Sequence, residues 1–437
     1  MRHAPAAAWV ILAAALVVRI AFFASAHFQA STAIDPLDYE RHAVSIAHGH
    51  GYPSSPIAGP HSPSAYRPPA YPYFLGALYA VTGFHRDAVR LIQLVLLGLA
   101  SVALVGVVAT RLAGRRAGLA AMALAAVFPP LIAFQSTLLS EALVVPLELA
   151  AIAAVLRFRD TRGYRWVGVA GVLAGLLALT RLNMAVLIPV LAAAAWLPPT
   201  GGGRRRLTGP ALLLAAAALT IAPWTVRNAV VMHRFIPIST QTAFTLAGTY
   251  NNFSKHNTVY PGAWVDPRLF SRKLGGAFGG GYDRIFAQHL GEPELDTRLR
   301  HAVAQYMRAD PGYVGTVTIQ NAKRAFELGG PGWERFADPA VGLSPRVAGA
   351  CAYGFMLFGV LALLGAATRR GRRLPTLVWV GALLTAVGFL VAQGEPRFRV
   401  PLDPLVIVLA GIAVAAVLDR RAGAAGERTT RPRASAP

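Results

Sequence analysis

The chain has 437 residues, of which 55% are hydrophobic and only 14% charged; a soluble domain carries about a quarter charged residues, so this composition argues against a soluble protein and for an all-α, polytopic membrane protein. The formal net charge of +22 would suggest nucleic acid in a soluble chain, but Lys and Arg gather in short cytoplasmic loops of membrane proteins and no nucleic-acid-binding module is present. A single cysteine, Cys351, excludes an intramolecular disulfide framework and a cysteine-based zinc site.

A transmembrane helix needs roughly 20 apolar residues. In chain order, candidates lie near 7–26, 88–110, 117–135, 138–156, 209–226, 347–367, 374–392 and 400–418. The apolar stretch 166–197 is interrupted by "LTRLN", with Arg181 near its middle. Basic clusters fall at 115–118, 157–165, 201–206, 369–373 and 419–421. If 166–197 is a two-helix hairpin, all five lie on one side; if it is one span, the last three change sides. The positive-inside trend therefore predicts about ten spans, with both termini cytoplasmic. Hairpin arms of about 15 residues require bilayer thinning or a watery cavity where they meet. "ASA" at 24–26 also fits a signal-peptide cleavage site, but a retained first span suits the count better.

This topology divides the chain into an N-terminal transmembrane module, 1–226, whose first outer loop covers about 27–86, an extracytoplasmic segment, 227–345, and C-terminal transmembrane helices, 346–418. The basic tail, 419–437, reads as disordered and cytoplasmic. In the first loop, residues 38–49 suit a short helix on the membrane, and the apolar run 71–83, with Tyr71, Tyr73 and Tyr79, is too short to span and suits the interface. Residues 293–311 place Leu295, Leu299, Ala302, Val303, Tyr306 and Met307 on one helical face, and a second helix is expected over 312–328. A partly helical extracytoplasmic cap follows.

Charges inside or at the edge of spans are functional candidates by default. Asp35 and Asp38, in "AIDPLDYERHAVSIAHGHGY" (33–52), sit where an aspartate caps a helix, and where a carboxylate at a partly dry surface can also act as a general base. Glu141, beside Ser140 in "LLSEALVVP", can snorkel, pair with an arginine or face substrate; Glu148 lies two turns deeper. Arg67, in "AYRPPAYP", has its following backbone fixed by two prolines and suits a phosphate or a lipid headgroup. Arg181, at the hairpin tip, needs an anion, either Glu141 or a ligand phosphate. "QGEPRFRVPLDP" (393–404) brings Glu395, Arg397, Arg399 and Asp403 into one short outer turn. Positive charge there opposes the positive-inside trend, and an arginine clamp on a phosphate would explain it.

No P-loop is present, and "GGAFGGGYD" (275–283) lacks a strand-turn-helix context. His42, His48, His50, His61 and His85 are ligand types that leave a divalent metal open, without an HExxH or comparable set to hold it.

In order, "DPLDYERHAVSIAHGHGY", "YRPPAYPYFLGALY", "LLSEALVVPLELAA", "LLALTRLNMAVLIP", "APWTVRN" and "GEPRFRVPLDPLVIVLA" resemble segments of GT-C fold membrane glycosyltransferases. More narrowly they resemble the bacterial protein O-mannosyltransferase and lipid A aminoarabinose transferase group, over roughly 8–240 and 345–418. The resemblance implies transfer of a sugar from a polyprenyl-phosphate donor to a hydroxyl of a lipid, glycan or protein acceptor at the outer face, usually with inversion. It places the catalytic carboxylate at Asp35, four residues before Tyr39, with Asp38 at a looser position. It matches Arg67 to the arginine before the paired prolines, Glu141 to an acid opening the fourth span, and Arg397 and Arg399 to a basic pair between the last spans. Asp35 is thus expected as general base and Glu141 as the group that orients the acceptor or a metal. Arg67, Arg181, Glu395, Arg397, Arg399 and Tyr39 are expected around the donor phosphate. The rival readings are a membrane transporter or flippase, for which inverted repeats are expected and not seen, an envelope glycan polymerase or ligase, and a non-catalytic scaffold.

Overall fold

The computed structural model describes residues 6–26, 28, 34–59, 61–196, 205–329 and 342–430, and every regular element among them is a helix. Helix α1 (Ala6–Ser25) packs on α4 (Arg86–Ala113) and α5 (Arg115–Val127). Between α1 and α4 the chain lays down α2 (Ile34–Ala47) and α3 (Ala70–Thr82), which pack on each other. Their closeness depends on Gly76, where a Cβ would stand 2.9 Å from Ile46 Cγ2 and 3.2 Å from Ala43 O.

Helix α5 breaks at Phe128, whose extended backbone precedes Pro129 and Pro130, and α6 (Pro129–Ser136) leaves it at 52°. The cause is local: proline disfavours helical backbone in the residue before it and suits the first helical position after. Helices α7 (Glu141–Thr161), α8 (Tyr164–Thr180), α9 (Leu187–Ala194) and α10 (Arg205–Met232) follow, with a 3₁₀ turn, Leu182–Val186, between α8 and α9. The stretch 166–197 is therefore broken at Arg181, as a hairpin requires.

Among the described residues, five helices are long and apolar enough to cross a membrane: Ala6–Ser25, Arg86–Ala113, Leu207–Met232, Pro345–Ala367 and Pro396–Ala422. The bent pair α5–α6 makes six. The remaining expected spans fall short for physical reasons. Helix α7 carries Glu141, Glu148 and Arg157, and Tyr164–Thr180, Leu182–Ala194 and Thr376–Ala392 are apolar but short.

The last two long helices touch almost backbone to backbone. A Cβ on Gly365 would stand 1.9 Å from Leu409 O and 2.7 Å from Leu409 C. Gly365→Ala is expected to push Pro345–Ala367 off Asp403–Thr430, at the roughly 1–3 kcal/mol typical of overpacking. Thermal unfolding in detergent checks this: the midpoint should fall, and an unchanged midpoint would mean the helices can separate without loss. The final helix runs to Thr430, past the expected limit at 418 and into the tail expected to be disordered. It is braced on its exposed side by Asp419, which accepts from Arg116 and Arg370; residues 431–437 lie outside the described residues.

The segment between α10 and Pro345–Ala367 forms the expected helical cap, as far as its residues are described. Its core joins Ile57 and Tyr66 of the first loop to Phe244, Phe278, Leu295, Leu299 and Val303, so the apolar face predicted for 293–311 is the buried face of Glu292–Ala309. The cap docks on the end of Thr376–Ala392, where the last carbonyls of a helix have no partner within it. Asn321 Nδ2 donates to Leu390 O, Tyr250 OH to Val391 O and Thr249 Oγ1 to Ala392 O, each at 2.8 Å. The cap is thereby fastened beside the turn that carries Arg397.

Candidate active site

Asp35 and Asp38 lie one turn apart on α2, so their carboxylates share a face. Arg67 closes on both: its Nη2 donates to Asp35 Oδ1 at 2.6 Å and its Nε to Asp38 Oδ2 at 2.7 Å. The guanidinium lies over the rings of Tyr39 and Tyr66, 4.7 and 4.8 Å from their centroids. The second oxygen of Asp35 accepts from Arg397 Nη1 at 2.7 Å. Arg397 Nε donates to Glu395 Oε2 at 2.9 Å, and Gln393 Nε2 holds Glu395 Oε1 at 2.7 Å.

A second pair completes the cluster. Arg181 Nη1 lies 2.5 Å from Glu141 Oε1, and Ser140 Oγ donates to Glu141 Oε2 at 3.3 Å. Phe398 joins the two pairs: the guanidiniums of Arg181 and Arg397 lie 4.9 and 4.6 Å from its ring centroid. Tyr39 meets Tyr71 edge-on at 5.0 Å. Tyr71 OH donates to Gln93 Oε1, and Gln93 Nε2 donates to the carbonyls of Gln135 and Thr137, all at 2.8 Å. That chain fixes the bend between α6 and α7 from which Glu141 projects.

The sequence candidates divide. Asp35, Asp38, Tyr39, Arg67 and Arg397 converge on one point, with Glu395 behind Arg397, and Arg181 and Glu141 joined to them through Phe398. Arg399, expected beside Arg397, is turned inward and fully buried. Its Nη1 donates to Ala325 O at 2.6 Å, its Nε to Asp403 Oδ1 at 3.3 Å, and its guanidinium lies 3.4 Å from the Phe355 ring centroid. The reason is helical geometry: Pro396–Arg399 is one short turn, and residues two apart on a helix point to opposite sides. Asp38 is 5% exposed and committed to Arg67 and Arg41, whereas the Asp35 side chain is 24% exposed. Of the two aspartates, Asp35 is the one a substrate can reach.

Electrostatics set the resting state. Burial by itself would raise the Asp35 carboxyl, but the charges of Arg67 and Arg397 outweigh it and hold the group well below the usual carboxylate range. Burial lowers His42 to about 4, against the opposing pull of Asp38, so this imidazole is neutral at physiological pH. As for a metal, no three His, Cys, Asp or Glu side chains gather as ligands among the described residues, and both Asp35 oxygens are engaged by guanidiniums. The donor set does not fit an ion.

Two contributors escaped the sequence reading. Phe398 had a signal, since it separates the two arginines Arg397 and Arg399 in the sequence. Glu292, fully buried against the segment that carries Arg67, had none, because its partners lie more than 200 residues away in the chain, apart from Thr240.

Residues 66–226 match the family described as dolichyl-phosphate-mannose-protein mannosyltransferase. That range holds Arg67, Glu141 and Arg181 but not α2 or the turn that carries Arg397. Among solved structures, the apo oligosaccharyltransferase of Archaeoglobus fulgidus superposes with a TM-score of 0.54 at 16% identity, covering 98% of this chain and 53% of that one. The oligosaccharyltransferase AglB from Archaeoglobus fulgidus, in complex with an inhibitory peptide and a dolichol-phosphate, gives 0.51 at 14%, covering 98% and 52%. ArnT of Cupriavidus metallidurans bound to undecaprenyl phosphate gives 0.42 at 17%, covering 93% and 77%. No curated protein sequence matches significantly. The chain thus has the GT-C fold and spans about half the length of the oligosaccharyltransferases it superposes on.

Proposed function

We propose that this GT-C chain, with a mannosyltransferase-family domain over residues 66–226, is a polyprenyl-phosphate-dependent glycosyltransferase acting at the extracytoplasmic face of the membrane. Its termini are cytoplasmic, and its acceptor is a hydroxyl of a lipid, glycan or protein. One observation carries the reading: a partly exposed carboxylate, Asp35, is bonded to an arginine from the first outer loop and to another from the last outer turn. A base and an anion site thus share an edge.

In the reaction, Asp35 takes the proton of the acceptor hydroxyl. The acceptor oxygen attacks the anomeric carbon, and the bond from that carbon to the phosphate oxygen breaks. Polyprenyl phosphate leaves with the electron pair, and its growing charge is met by Arg397 and Arg181 in a partly dry site. The proton on Asp35 is then released to water. In the resting site Arg397 is spent on Asp35. An arriving phosphate draws Arg397 away, frees Asp35 Oδ2 and restores its basicity, so the base is switched on by the donor. Arg67 stays, anchored by Asp38. Support for a lipid-phosphate donor comes from the archaeal enzyme whose structure holds dolichol-phosphate.

The test is transfer of radiolabelled sugar from a panel of polyprenyl-phosphate sugars into membranes containing the protein. Transfer from one donor class is expected. No transfer from any donor, with flux of a lipid-linked sugar across vesicles, would replace this reading with the transporter.

A further inference from the structure

The segment Ser64–Arg67 is held at every carbonyl. Arg227 Nη1 donates to Ser64 O at 2.6 Å, the Thr240 amide to Ala65 O at 3.2 Å, Ser239 Oγ to Tyr66 O at 2.5 Å and Tyr52 OH to Arg67 O at 2.5 Å. These donors come from α10, from the start of the cap and from the loop after α2. Past Arg67, Pro68 and Pro69 restrict the backbone further.

The other edge of the segment rests on one group. The Ala65 amide donates to Glu292 Oε1 at 2.7 Å, Thr240 Oγ1 to the same oxygen at 2.8 Å and Ser64 Oγ to Oε2 at 3.0 Å. The Glu292 backbone amide in turn donates to Ser62 Oγ at 3.1 Å. Glu292 is fully buried and opens the helix Glu292–Ala309; burial raises its carboxyl, and the hydrogen bonds it accepts pull the other way. A buried carboxylate accepting three such bonds is a strong local organiser. Its removal would leave an amide and two hydroxyls without their acceptor in the interior.

We propose that Glu292 is a positioning residue for glycosyl transfer: it fixes Ser64–Arg67 against the docked cap and so directs the Arg67 guanidinium onto Asp35. The path is short. Glu292 holds Ala65, Arg67 follows two residues later, and Arg67 Nη2 reaches Asp35 at 2.6 Å. The role rests on the reading of Asp35 as the base. Donor binding takes no part in it, because Arg397 is held from the opposite side by Glu395.

The full chain in lipid nanodiscs, as Glu292→Ala and Glu292→Gln, tests this through hydrogen exchange and steady-state transfer. In Glu292→Ala the amides of 64–67 should exchange at least about tenfold faster, with the cap helices unchanged. The turnover number should fall roughly 10–100-fold, as misplaced catalytic groups do, with donor KM within about twofold. Glu292→Gln should recover to within about threefold, since its amide oxygen still accepts from Ala65 and its NH₂ can donate to Ser64 Oγ. The inference is overturned if Glu292→Ala keeps full turnover, if exchange rises equally throughout the cap, or if Glu292→Gln is as impaired as Glu292→Ala. Should Glu292→Ala not fold, Thr240→Val, which removes one of the three donors, is expected to give a smaller loss of the same kind; full turnover in it would count against the inference. A wild type that transfers nothing would sink the glycosyltransferase reading, while exchange at 64–67 would still decide whether Glu292 holds the segment.

Discussion

Asp35→Asn is expected to lower the turnover number by roughly 10²–10⁴-fold, the range a positioned general base contributes. Asparagine is nearly isosteric and keeps an acceptor for Arg67, so folding should be preserved. Donor KM should not rise, because the substitution weakens the bond that holds Arg397 away from the phosphate. The pH dependence adds a second readout. The free-enzyme carboxyl is held below the ordinary range by Arg67 and Arg397 after they outweigh burial, and the base must be ionised to act. The acid limb of kcat/KM should therefore lie below pH ~4, the usual Asp value. In the donor complex Arg397 is drawn to the phosphate, one depressing charge is lost, and the limb of kcat should lie higher. Turnover that survives in Asp35→Asn removes it as the base; coincident limbs would mean that Arg397 does not leave Asp35 when donor binds.

Arg397→Gln should be the other severe variant. It removes the guanidinium proposed to meet the leaving phosphate, and loss of one such donor costs about 10²–10³-fold, here in kcat/KM. It also removes one of the two charges that depress Asp35, so the acid limb should move to higher pH. Because the two residues act on one step and touch at 2.7 Å, the double variant with Asp35→Asn should fall well short of the product of the single losses. Kinetics across pH for the four proteins check this. Simple multiplication of the effects would mean that the contact has no part in the reaction.

The sequence made the chemistry legible where topology constrained it. With the basic clusters on one side, the positive-inside trend predicts that Asp35, Arg67, Glu141, Arg181 and Arg397 share the other, so five separate stretches point to one site. Orientation within a turn was not legible. Arg397 and Arg399 sit in the same motif with the same charge, and only the short helix Pro396–Arg399 decides which meets Asp35 and which is buried on Asp403. Exposure also separated Asp35 from Asp38, both of which read as caps or bases in the sequence. Glu292 lies in a segment whose apolar periodicity marks its buried face, but the contacts that matter are with Ser64 and Ala65, 228 and 227 residues away. The span count was less legible: α7 carries Glu141, Glu148 and Arg157 along its length, and α8 is short, ending at the Arg181 break.

The pinned segment Ser64–Arg67 has a thermodynamic corollary. Fixing an arginine side chain costs up to ~2 kcal/mol in rotamer freedom, and here that loss is incurred once, when the cap docks, and not in each turnover. The activation entropy of transfer should accordingly contain little from ordering Arg67. The temperature dependence of the rate should be dominated by enthalpy up to the point where the cap detaches, and above it should change abruptly.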